Sequence, residues 1–360
     1  MSRSERIVTL DILRGLALFG MILVHFHQDM EKPAAGLEDI VGWIIWMGLE
    51  TKAWATFAFL FGAGFAILMR RLEARGERVV PLYLRRMLGL AIFGFAVQAL
   101  FGFQILIEYA IWGVPLLFVR NWPTRALLVL AVACTTALSV YSIFSPYSRG
   151  PYWEPLKKAE AEGTYAEAVS ARVTHMGWEY SQPRTLVPTS SFVLFLLGLL
   201  AVRHGLFDDP KSKKRIIVSA MIFGFASWAL FWFVLEKIPN ARGFGIINDR
   251  WLAFTFIGGV MLLCAYRPQW KTRLSMFGTT GRMALTNYVL QAGMISWLAS
   301  GYGLALKIRP YYELPATMLV FLVMVGFSTL WLSRFRYGPL ERLWRAFTYF
   351  SWQSASPVTT

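Results

Sequence analysis

The chain has 360 residues, of which 56% are hydrophobic and 16% are charged, and its formal net charge is +15. Soluble domains carry about 25% charged residues, so this composition predicts a membrane protein with several spanning helices. The Lys and Arg residues occur in short clusters between apolar stretches, which argues against nucleic acid as a partner. The two cysteines lie in apolar stretches and the four histidines lack metal-ligand spacing, so neither a disulfide framework nor a metal site is predicted.

About ten apolar stretches of membrane-spanning length follow one another along the chain, and they predict an all-α, polytopic membrane protein. A single integral membrane domain is expected over 1–360. A helix-forming insertion outside the membrane is expected at 145–185, and a short amphipathic surface helix at 338–350. The stretch 41–50 is too short to span. The predicted spans are 8–27, 53–69, 87–103, 105–119, 126–144, 187–202, 216–235, 251–266, 283–300 and 314–333.

The distribution of basic residues predicts the orientation of the chain in the membrane. About 23 Lys and Arg lie in the terminal segments and the loops of one side, against about 11 on the other side. Because cytoplasmic loops are enriched in Lys and Arg, both termini are expected in the cytoplasm and 145–185 outside it. No small-residue cleavage site follows the first apolar run, so we interpret that run as a retained helix rather than a signal peptide.

The stretch from Thr9 to His27 carries charged or titratable residues at both ends, with Asp11 and Arg14 at the first and His25 at the second. Ten apolar or glycine residues separate Arg14 from His25. A helix would hold the two roughly 16 Å apart, about half of a hydrocarbon core about 30 Å thick. Arg can bind phosphate and neutral His can accept a proton, so the pair indicates a site. The alternative is that Arg14 snorkels to the headgroups, paired with Asp11, while His25 anchors the interface.

Further polar residues inside predicted helices are candidates for lining a cavity beside His25. Asn287 and Gln291 are four residues apart and therefore lie on one face of a helix. The alternative for each is hydrogen bonding between helices, which contributes about 0.6 kcal/mol apiece. The candidate substrate residues are Gln104, Glu108, Tyr109, Asn287, Tyr288 and Gln291.

Three other features favour structural roles. The F-A-F-L-F-G-A-G-F stretch at 57–65 predicts close helix packing rather than a phosphate loop, because no Lys, Ser or Thr follows its glycines. The arginines of 70–86 predict contacts with anionic lipid headgroups, with a funnel for acyl-coenzyme A as the alternative. His175 and Trp178 are expected on a solvent-exposed lid rather than in contact with substrate.

Six stretches distributed over nearly the whole chain carry a family resemblance. They are R-I-V-T-L-D-I-L-R-G-L-A-L-F-G-M-I-L-V-H-F (6–26), F-A-F-L-F-G-A-G-F (57–65), I-L-I-E-Y-A-I-W-G (105–113), L-G-L-L-A-V-R-H-G-L-F (197–207), G-R-M-A-L-T-N-Y-V-L-Q (281–291) and G-P-L-E-R-L-W-R (338–345). These stretches resemble the YeiB-like family of bacterial inner-membrane proteins. That family resembles the transmembrane acyltransferases, which share an Arg, ten residues and then a His in their first helix. It also resembles the lysosomal heparan glucosaminide acetyltransferase, whose first helix opens S-L-D-x-x-R-G.

The resemblance implies a transmembrane-acyltransferase fold and a reaction without a metal. An acyl group, most simply acetyl, would pass from acyl-coenzyme A (acetyl-CoA) on the cytoplasmic side to a sugar or glycolipid on the outer side. It implies that His25 is the catalytic base and that Arg14, paired with Asp11, binds the donor. His27 is a second candidate for the base, because the lysosomal enzyme carries its catalytic histidine beyond the first helix.

The chain departs from the family at the joint between helices three and four, where Gln104 stands in place of a common Asp. A role that needs a carboxylate there would pass to Glu108. Two other classes of function stay open: a transporter or exporter of a small metabolite, lipid or sugar, and a non-catalytic membrane scaffold. Membrane lipids are expected partners in each case, and a homodimer is one of the oligomeric states left open.

Overall fold

The computed structural model describes residues 7–28, 48, 51–103, 105–144, 150–187, 189–234, 237 and 250–349. It is an all-α structure, as predicted, and its apolar helices make the protein a polytopic membrane protein. The helices are α1 Val8–Gln28, α2 Thr51–Ala74, α3 Val79–Phe101, α4 Ile105–Val119, α5 Thr124–Phe144, α6 Trp153–Glu162, α7 Tyr165–Ser181, a short 3-10 helix Pro183–Leu186, α8 Ser190–Arg203, α9 Lys214–Phe233, α10 Ala253–Tyr266, α11 Gln269–Arg273, α12 Ser275–Arg282, α13 Ala284–Ala299, α14 Pro310–Arg334 and α15 Pro339–Tyr349.

Each of the ten predicted spans coincides with a helix. Within the described residues, seven helical segments are long and apolar enough to cross a membrane. They correspond to α1, α2, α3, α5, α8, α9 and α14. Helices α4 and α10 are apolar but shorter, at 15 and 14 residues, and the ninth predicted span is the 16-residue helix α13. The stretch 41–50 lies outside the described residues except for Gly48.

Helix α1 is the central helix of the bundle. It packs against α2, α10, α12, α13 and α14. Buried residues occur on all its sides, and Ile12, Leu18, Ile22 and Phe26 are fully buried. A helix that is apolar all round is one that other helices enclose, so α1 lies inside protein rather than at the lipid boundary.

Helices α2 and α8 cross at two glycines. A Cβ atom on Gly62 would overlap the carbonyl oxygen of Phe195, and a Cβ on Gly198 would overlap that of Phe59. Small residues let helix backbones approach closely where lipid offers no hydrophobic driving force. The prediction of close helix packing at 57–65 is therefore confirmed at Gly62.

A second glycine crossing joins α1 to α12. A Cβ on Gly15 would overlap the carbonyl oxygen of Phe277, and a Cβ on Gly281 would overlap that of Asp11. The stretch 267–282, between the eighth and ninth predicted spans, forms α11 and α12, and its small residues allow α12 to pack directly onto the backbone of α1.

The predicted amphipathic helix near the C-terminus is α15, and it packs against α3 and α13. The carboxylate of Glu341 accepts hydrogen bonds from the backbone N–H groups of Leu285 (2.7 Å) and Thr286 (3.1 Å) and from the Thr286 hydroxyl (2.5 Å). These N–H groups lie in the first turn of α13, where no helical carbonyl can pair with them. Trp344 donates from Nε1 to the carbonyl oxygen of Arg86 at 2.8 Å. Helix α15 is thus tied to the bundle.

The predicted helical insertion at 145–185 contains α6 and α7. Arg172 of α7 is 2% exposed and binds four partners, one of which is the Ser296 hydroxyl at 3.5 Å. It donates to the carbonyl oxygen of Leu100 at the end of α3 (2.7 Å), to Glu160 of α6 (2.9 Å) and to the Tyr302 hydroxyl (2.9 Å). The insertion therefore packs against the end of the bundle where α1 and α3 finish.

We expect Gly15→Ala and Gly281→Ala each to lower the free energy of unfolding by about 1–3 kcal/mol. The added methyl group would have to push α1 away from α12. Gly259→Ala is the matched control, because nothing lies within 4 Å of an ideal Cβ at that helical position. Thermal unfolding of the detergent-purified variants measures the effect. Equal midpoints for Gly15→Ala and Gly259→Ala would contradict the crossing.

We expect Glu341→Ala to lower the stability by about 1 kcal/mol, the usual loss of a helix N-cap. Burial raises the pKa of Glu341, and the hydrogen bonds from Thr286 and Leu285 only partly oppose the rise. A raised folded-state pKa means that the contribution of Glu341 to the free energy of unfolding is complete below its unfolded-state pKa of about 4.3. This contribution is lost as the pH rises through the folded-state pKa.

The stability deficit of Glu341→Ala should therefore be larger at acidic pH than at pH 8. Thermal unfolding across this pH range measures it, with the exposed carboxylate variant Glu154→Ala as the control. A deficit that widens as the pH rises would show that the ionised carboxylate is the stabilising form.

Candidate functional site

Arg14 forms the ion pair that the sequence predicts with Asp11. Its Nη1 atom lies 3.1 Å from Asp11 Oδ1, and its side chain is 28% exposed whereas that of Asp11 is 7% exposed. An ideal Cβ on Gly64 of α2 would lie 3.4 Å from the Nη2 atom of Arg14. The second glycine of the 57–65 stretch therefore leaves room for the guanidinium group.

His25 lies one turn before the other end of α1. Its ring is 4.1 Å from the ring of Phe103, measured between centroids. Its Nδ1 atom is buried and has no hydrogen-bond partner among the described residues. A buried polar atom without a partner costs about 1–3 kcal/mol, so an arrangement of this kind calls for a functional explanation. The side chain of His27, like Gln104, lies outside the described part of the chain, and both assignments stay predictions.

Glu108 belongs to a polar layer at the end of the bundle where α1 finishes and α2, α4, α8 and α10 begin. It lies in the first turn of α4 and accepts a hydrogen bond of 2.5 Å from the Ser191 hydroxyl. Arg250 donates to the hydroxyl of the neighbouring Ser190, and its guanidinium lies over the ring of Trp54, 4.6 Å from the centroid. Sequence reasoning missed Ser190, Ser191 and Arg250, because short polar groups at the ends of spans resemble ordinary caps.

Two of the predicted substrate residues, Tyr109 and Tyr288, lie in the same layer and are each 1% exposed. The Tyr109 hydroxyl donates to the carbonyl oxygen of Trp54 at 3.4 Å. Tyr109 follows Glu108 directly in α4, so the structure brings Glu108 and Tyr109 together beside Trp54. Tyr288 lies buried in α13.

The face of α7 that turns toward the bundle is buried rather than solvent-exposed. His175 is 8% exposed, and its ring lies 5.8 Å from that of Trp153 and 6.0 Å from that of Trp178. Glu179 accepts from Arg184 through Oε1 at 2.9 Å, while its buried Oε2 atom has no partner among the residues described here. Burial raises the pKa of Glu179 despite the opposing charge of Arg184. The expectation of a solvent-exposed lid is therefore wrong for this face, because long aromatic side chains cover it.

Asn287 and Gln291 are both completely buried, on one face of α13 as predicted. Asn287 donates from Nδ2 to the carbonyl oxygen of Thr280 (2.9 Å) and to the Ser328 hydroxyl (2.8 Å). It thereby holds the break between α12 and α13 and ties both to α14. Neither amide atom of Gln291 has a hydrogen-bond partner within the described ranges. The Nδ2 atom of Asn287 has the bonds of a structural residue, whereas its Oδ1 atom and both amide atoms of Gln291 have no partner among the described residues.

Among the described residues, neither the cysteines nor a metal-ligand cluster adds to this site. Cys134 and Cys264 are free and buried in α5 and α10. No group of three or more His, Cys, Asp and Glu side chains in the described part of the chain is arranged to hold a metal ion. The candidate site therefore consists of Arg14 with Asp11 at one end of α1, and of His25 with the polar layer at the other end.

Two family models match complementary parts of the chain. Residues 6–145, which contain α1 to α5, match the model described as heparan-alpha-glucosaminide N-acetyltransferase, catalytic. This part includes Arg14, His25 and Glu108. Residues 201–351 match the model described as protein of unknown function (DUF418), which begins at the end of α8 and includes α9 to α15.

Three relatives are similar to the chain along nearly their whole length. Uncharacterized protein YxaH of Bacillus subtilis (strain 168) is 31% identical over 99% of this chain and 97% of its own. An uncharacterized 39.9 kDa protein in the amylase 3′ region of Bacillus acidopullulyticus is 30% identical over 96% and 94%. Uncharacterized protein YeiB of Escherichia coli (strain K12) is 27% identical over 96% of each chain. With these matches added to its helical architecture, the chain belongs to the YeiB-like (DUF418) family of polytopic membrane proteins.

Proposed function

We propose that this protein is an acyltransferase with His25 as its general base. The acyl group, most simply acetyl, passes from a coenzyme A thioester to a hydroxyl or amine of a sugar or glycolipid. The observation that carries the proposal is the buried Nδ1 atom of His25, which has no hydrogen-bond partner among the described residues. This residue lies within the segment that matches the acetyltransferase catalytic model, and the acyltransferase-like character of that segment supports the reaction class.

His25 can take up the proton that the reaction releases. A neutral imidazole accepts the proton of the acceptor hydroxyl or amine while the acceptor oxygen or nitrogen forms a bond to the thioester carbonyl carbon. The tetrahedral intermediate collapses by breaking the carbon–sulfur bond. The imidazolium returns its proton to the departing thiolate, so free coenzyme A leaves as the thiol and His25 is neutral again.

Arg14 is the donor-binding residue in this proposal. A guanidinium can bind phosphate oxygens through two parallel hydrogen bonds, and its partial exposure leaves N–H groups for such a ligand. Asp11 holds it in place, and Gly64 leaves the space beside it. A helix separates Arg14 from His25 by roughly 16 Å, which suits an elongated donor with phosphates at one end and a thioester at the other.

The polar layer is the binding region for the acceptor in this proposal. The Glu108 carboxylate and the hydroxyls of Ser191, Tyr109 and Tyr288 offer both donors and acceptors, as a polyhydroxylated ligand requires. Gln291 adds an amide whose two polar atoms have no partner among the described residues. Asn287 acts as a positioning residue, because its amide fixes the junction of α12 and α13.

We further propose that both termini face the cytoplasm and that the protein lies in the bacterial inner membrane. The support is the excess of Lys and Arg in alternate loops and in the terminal segments. In this orientation Arg14 lies toward the cytoplasmic supply of acyl-coenzyme A, and His25 lies toward an acceptor on the outer side.

We expect His25→Ala to lower the rate of acyl transfer by about 10²- to 10⁴-fold, the usual contribution of a general base. Thiol release from acetyl-coenzyme A, with glucosamine as the probe acceptor, measures the rate for purified protein in lipid nanodiscs. His204→Ala is the control, because this exposed histidine lies at the other end of the bundle, just after α8.

The same variants and assay distinguish His25 from His27 as the base, and a flux measurement distinguishes an acyltransferase from a transporter. Loss of activity in His27→Ala, with activity retained in His25→Ala, would move the base to His27. Activity retained in the double variant would refute a histidine base in α1. Flux of the sugar into proteoliposomes without thiol release would favour the transporter alternative.

We expect Arg14→Gln to raise the KM for acetyl-coenzyme A by about 10- to 100-fold and to change kcat little. A charge-assisted hydrogen bond contributes about 1.5–3 kcal/mol, and a contact made equally in the ground and transition states affects only KM. Arg78→Gln, which removes an exposed charge just before α3, is the control. A collapse of kcat at unchanged KM would exclude Arg14 as a donor-binding residue.

A further inference from the structure

Three guanidinium groups from three different helices gather at the end of the bundle where Arg14 lies. They belong to Arg14 of α1, Arg86 of α3 and Arg345 of α15. Arg345 directly follows Trp344, whose ring lies against Arg86. Arg14 lies against Gly64 of α2, and the ring of the neighbouring Phe65 is 4.9 Å from that of Tyr83, one turn before Arg86. Like charges held near one another in a partly buried place destabilise the fold unless an anion offsets them.

Arg86 and Arg345 pair with aromatic rings rather than with carboxylates. The Cζ atom of Arg86 lies 3.6 Å from the centroid of the Trp344 ring. The Cζ atom of Arg345 lies 4.5 Å from the ring of Tyr337 and 5.5 Å from that of Tyr349. In the part of the chain that the structure describes, neither guanidinium has a carboxylate within salt-bridge distance. Stacking uses the face of a guanidinium and leaves its N–H edge free to bind an anion.

The packing of α15 holds this arrangement in place. The Trp344 indole donates to the carbonyl oxygen of Arg86, and Gly89 allows the close approach, because an ideal Cβ there would lie 2.9 Å from Trp344 Cδ1. Glu341, one turn earlier on α15, is bonded to the first turn of α13. Arg345 is therefore placed beside Arg86 by contacts that do not involve either guanidinium edge.

We propose that Arg86 and Arg345, together with Arg14, form a binding site for a phosphate-class anion. The ligand chemistry is a phosphate or diphosphate group, since planar guanidinium edges match its oxygens in pairs. Such a group is present both in a soluble coenzyme and in the headgroup of an anionic lipid. The site itself follows from the arginine arrangement, and only a coenzyme A diphosphate as its natural occupant rests on the proposed acyltransferase function.

Binding of inorganic pyrophosphate and of coenzyme A to the full chain tests the site. The protein is placed in nanodiscs of phosphatidylcholine, and affinity is measured for wild type and for the variant with both Arg86→Gln and Arg345→Gln. We expect the double variant to bind at least about tenfold more weakly. Arg78→Gln is the matched control, which loses one exposed charge near α3 and should bind like wild type.

A second set of nanodiscs, about one-third phosphatidylglycerol, distinguishes the source of the anion. If a lipid headgroup is the occupant, these nanodiscs raise the thermal midpoint of wild type and of Arg78→Gln but not of the double variant. The soluble probes then bind weakly to all three proteins. Equal responses of wild type and double variant to both soluble probes and both lipid compositions would overturn the site.

Two further variants keep the test informative if the double variant misfolds or if the acyltransferase proposal fails. Arg86→Lys replaces the double variant if that variant is unstable. It keeps a charge beside Trp344 and should therefore retain part of the wild-type affinity for pyrophosphate. His25→Ala should bind pyrophosphate like wild type. Binding through Arg86 and Arg345 without any acyl transfer would refute the enzyme and keep the anion site. Acyl transfer at unchanged KM in the double variant, with unchanged responses to the soluble probes and to phosphatidylglycerol, would keep the enzyme and refute the site.

Discussion

The contact between the backbones of α1 and α12 is the constraint on which the central part of the structure depends. Helices within a lipid bilayer gain little free energy from burying apolar side chains against one another, so their association depends on close packing. Gly15 and Gly281 permit that packing, and Asp11 contributes twice: its carbonyl oxygen lies against Gly281, while its carboxylate holds Arg14. Asp11, which fixes the position of the Arg14 side chain, is therefore part of the helix crossing. A shift of α12 would move the guanidinium of Arg14 as well.

A second constraint is that the unpaired backbone N–H and C=O groups at helix ends need hydrogen-bond partners, and this requirement is strict where water is scarce. Side chains distant in sequence supply the missing partners. Glu341 binds the first turn of α13, and Asn287 binds the carbonyl oxygen at the end of α12. Arg172 binds the last turn of α3, and Arg70 donates to the carbonyl oxygen of Val202 near the end of α8. Part of the basic cluster assigned to lipid headgroups thus serves as capping groups within the protein.

The two ends of α1 differ in the kind of group they leave unpaired among the described residues. At one end the groups are cationic, as in Arg86 and Arg345. At the other end they include neutral and acidic hydrogen-bonding atoms, namely Nδ1 of His25, the amide of Gln291 and one oxygen of Glu179. The Arg250 guanidinium also lies at this end, bonded to Ser190. Cations bind phosphates, whereas hydrogen-bonding atoms bind hydroxyl and amine groups. The proposed transfer uses the first set of groups for a phosphorylated donor and the second set for a polar acceptor.

Much of the architecture was predictable because apolar length and glycine placement are local properties of the chain. Each of the ten predicted spans located a helix, and the spacing of Asp11 and Arg14 predicted their ion pair. The packing of α12 on α1 was not predictable, because an eight-residue helix with Thr, Gly and Arg has no periodic apolar signal.

The sequence by itself determined the membrane class, the order of the spans, the family and the residues at the two ends of α1. Only the tertiary structure decided which polar residues meet. Asn287 and Gln291 look equivalent on a helical face, yet Asn287 is bonded to Thr280 and Ser328 while Gln291 has no partner among the described residues. Likewise, Arg345 comes near Arg86 only because α15 docks on α3. Hydrogen bonds and charge clusters depend on contacts between distant segments, and no local pattern in the chain encodes those contacts.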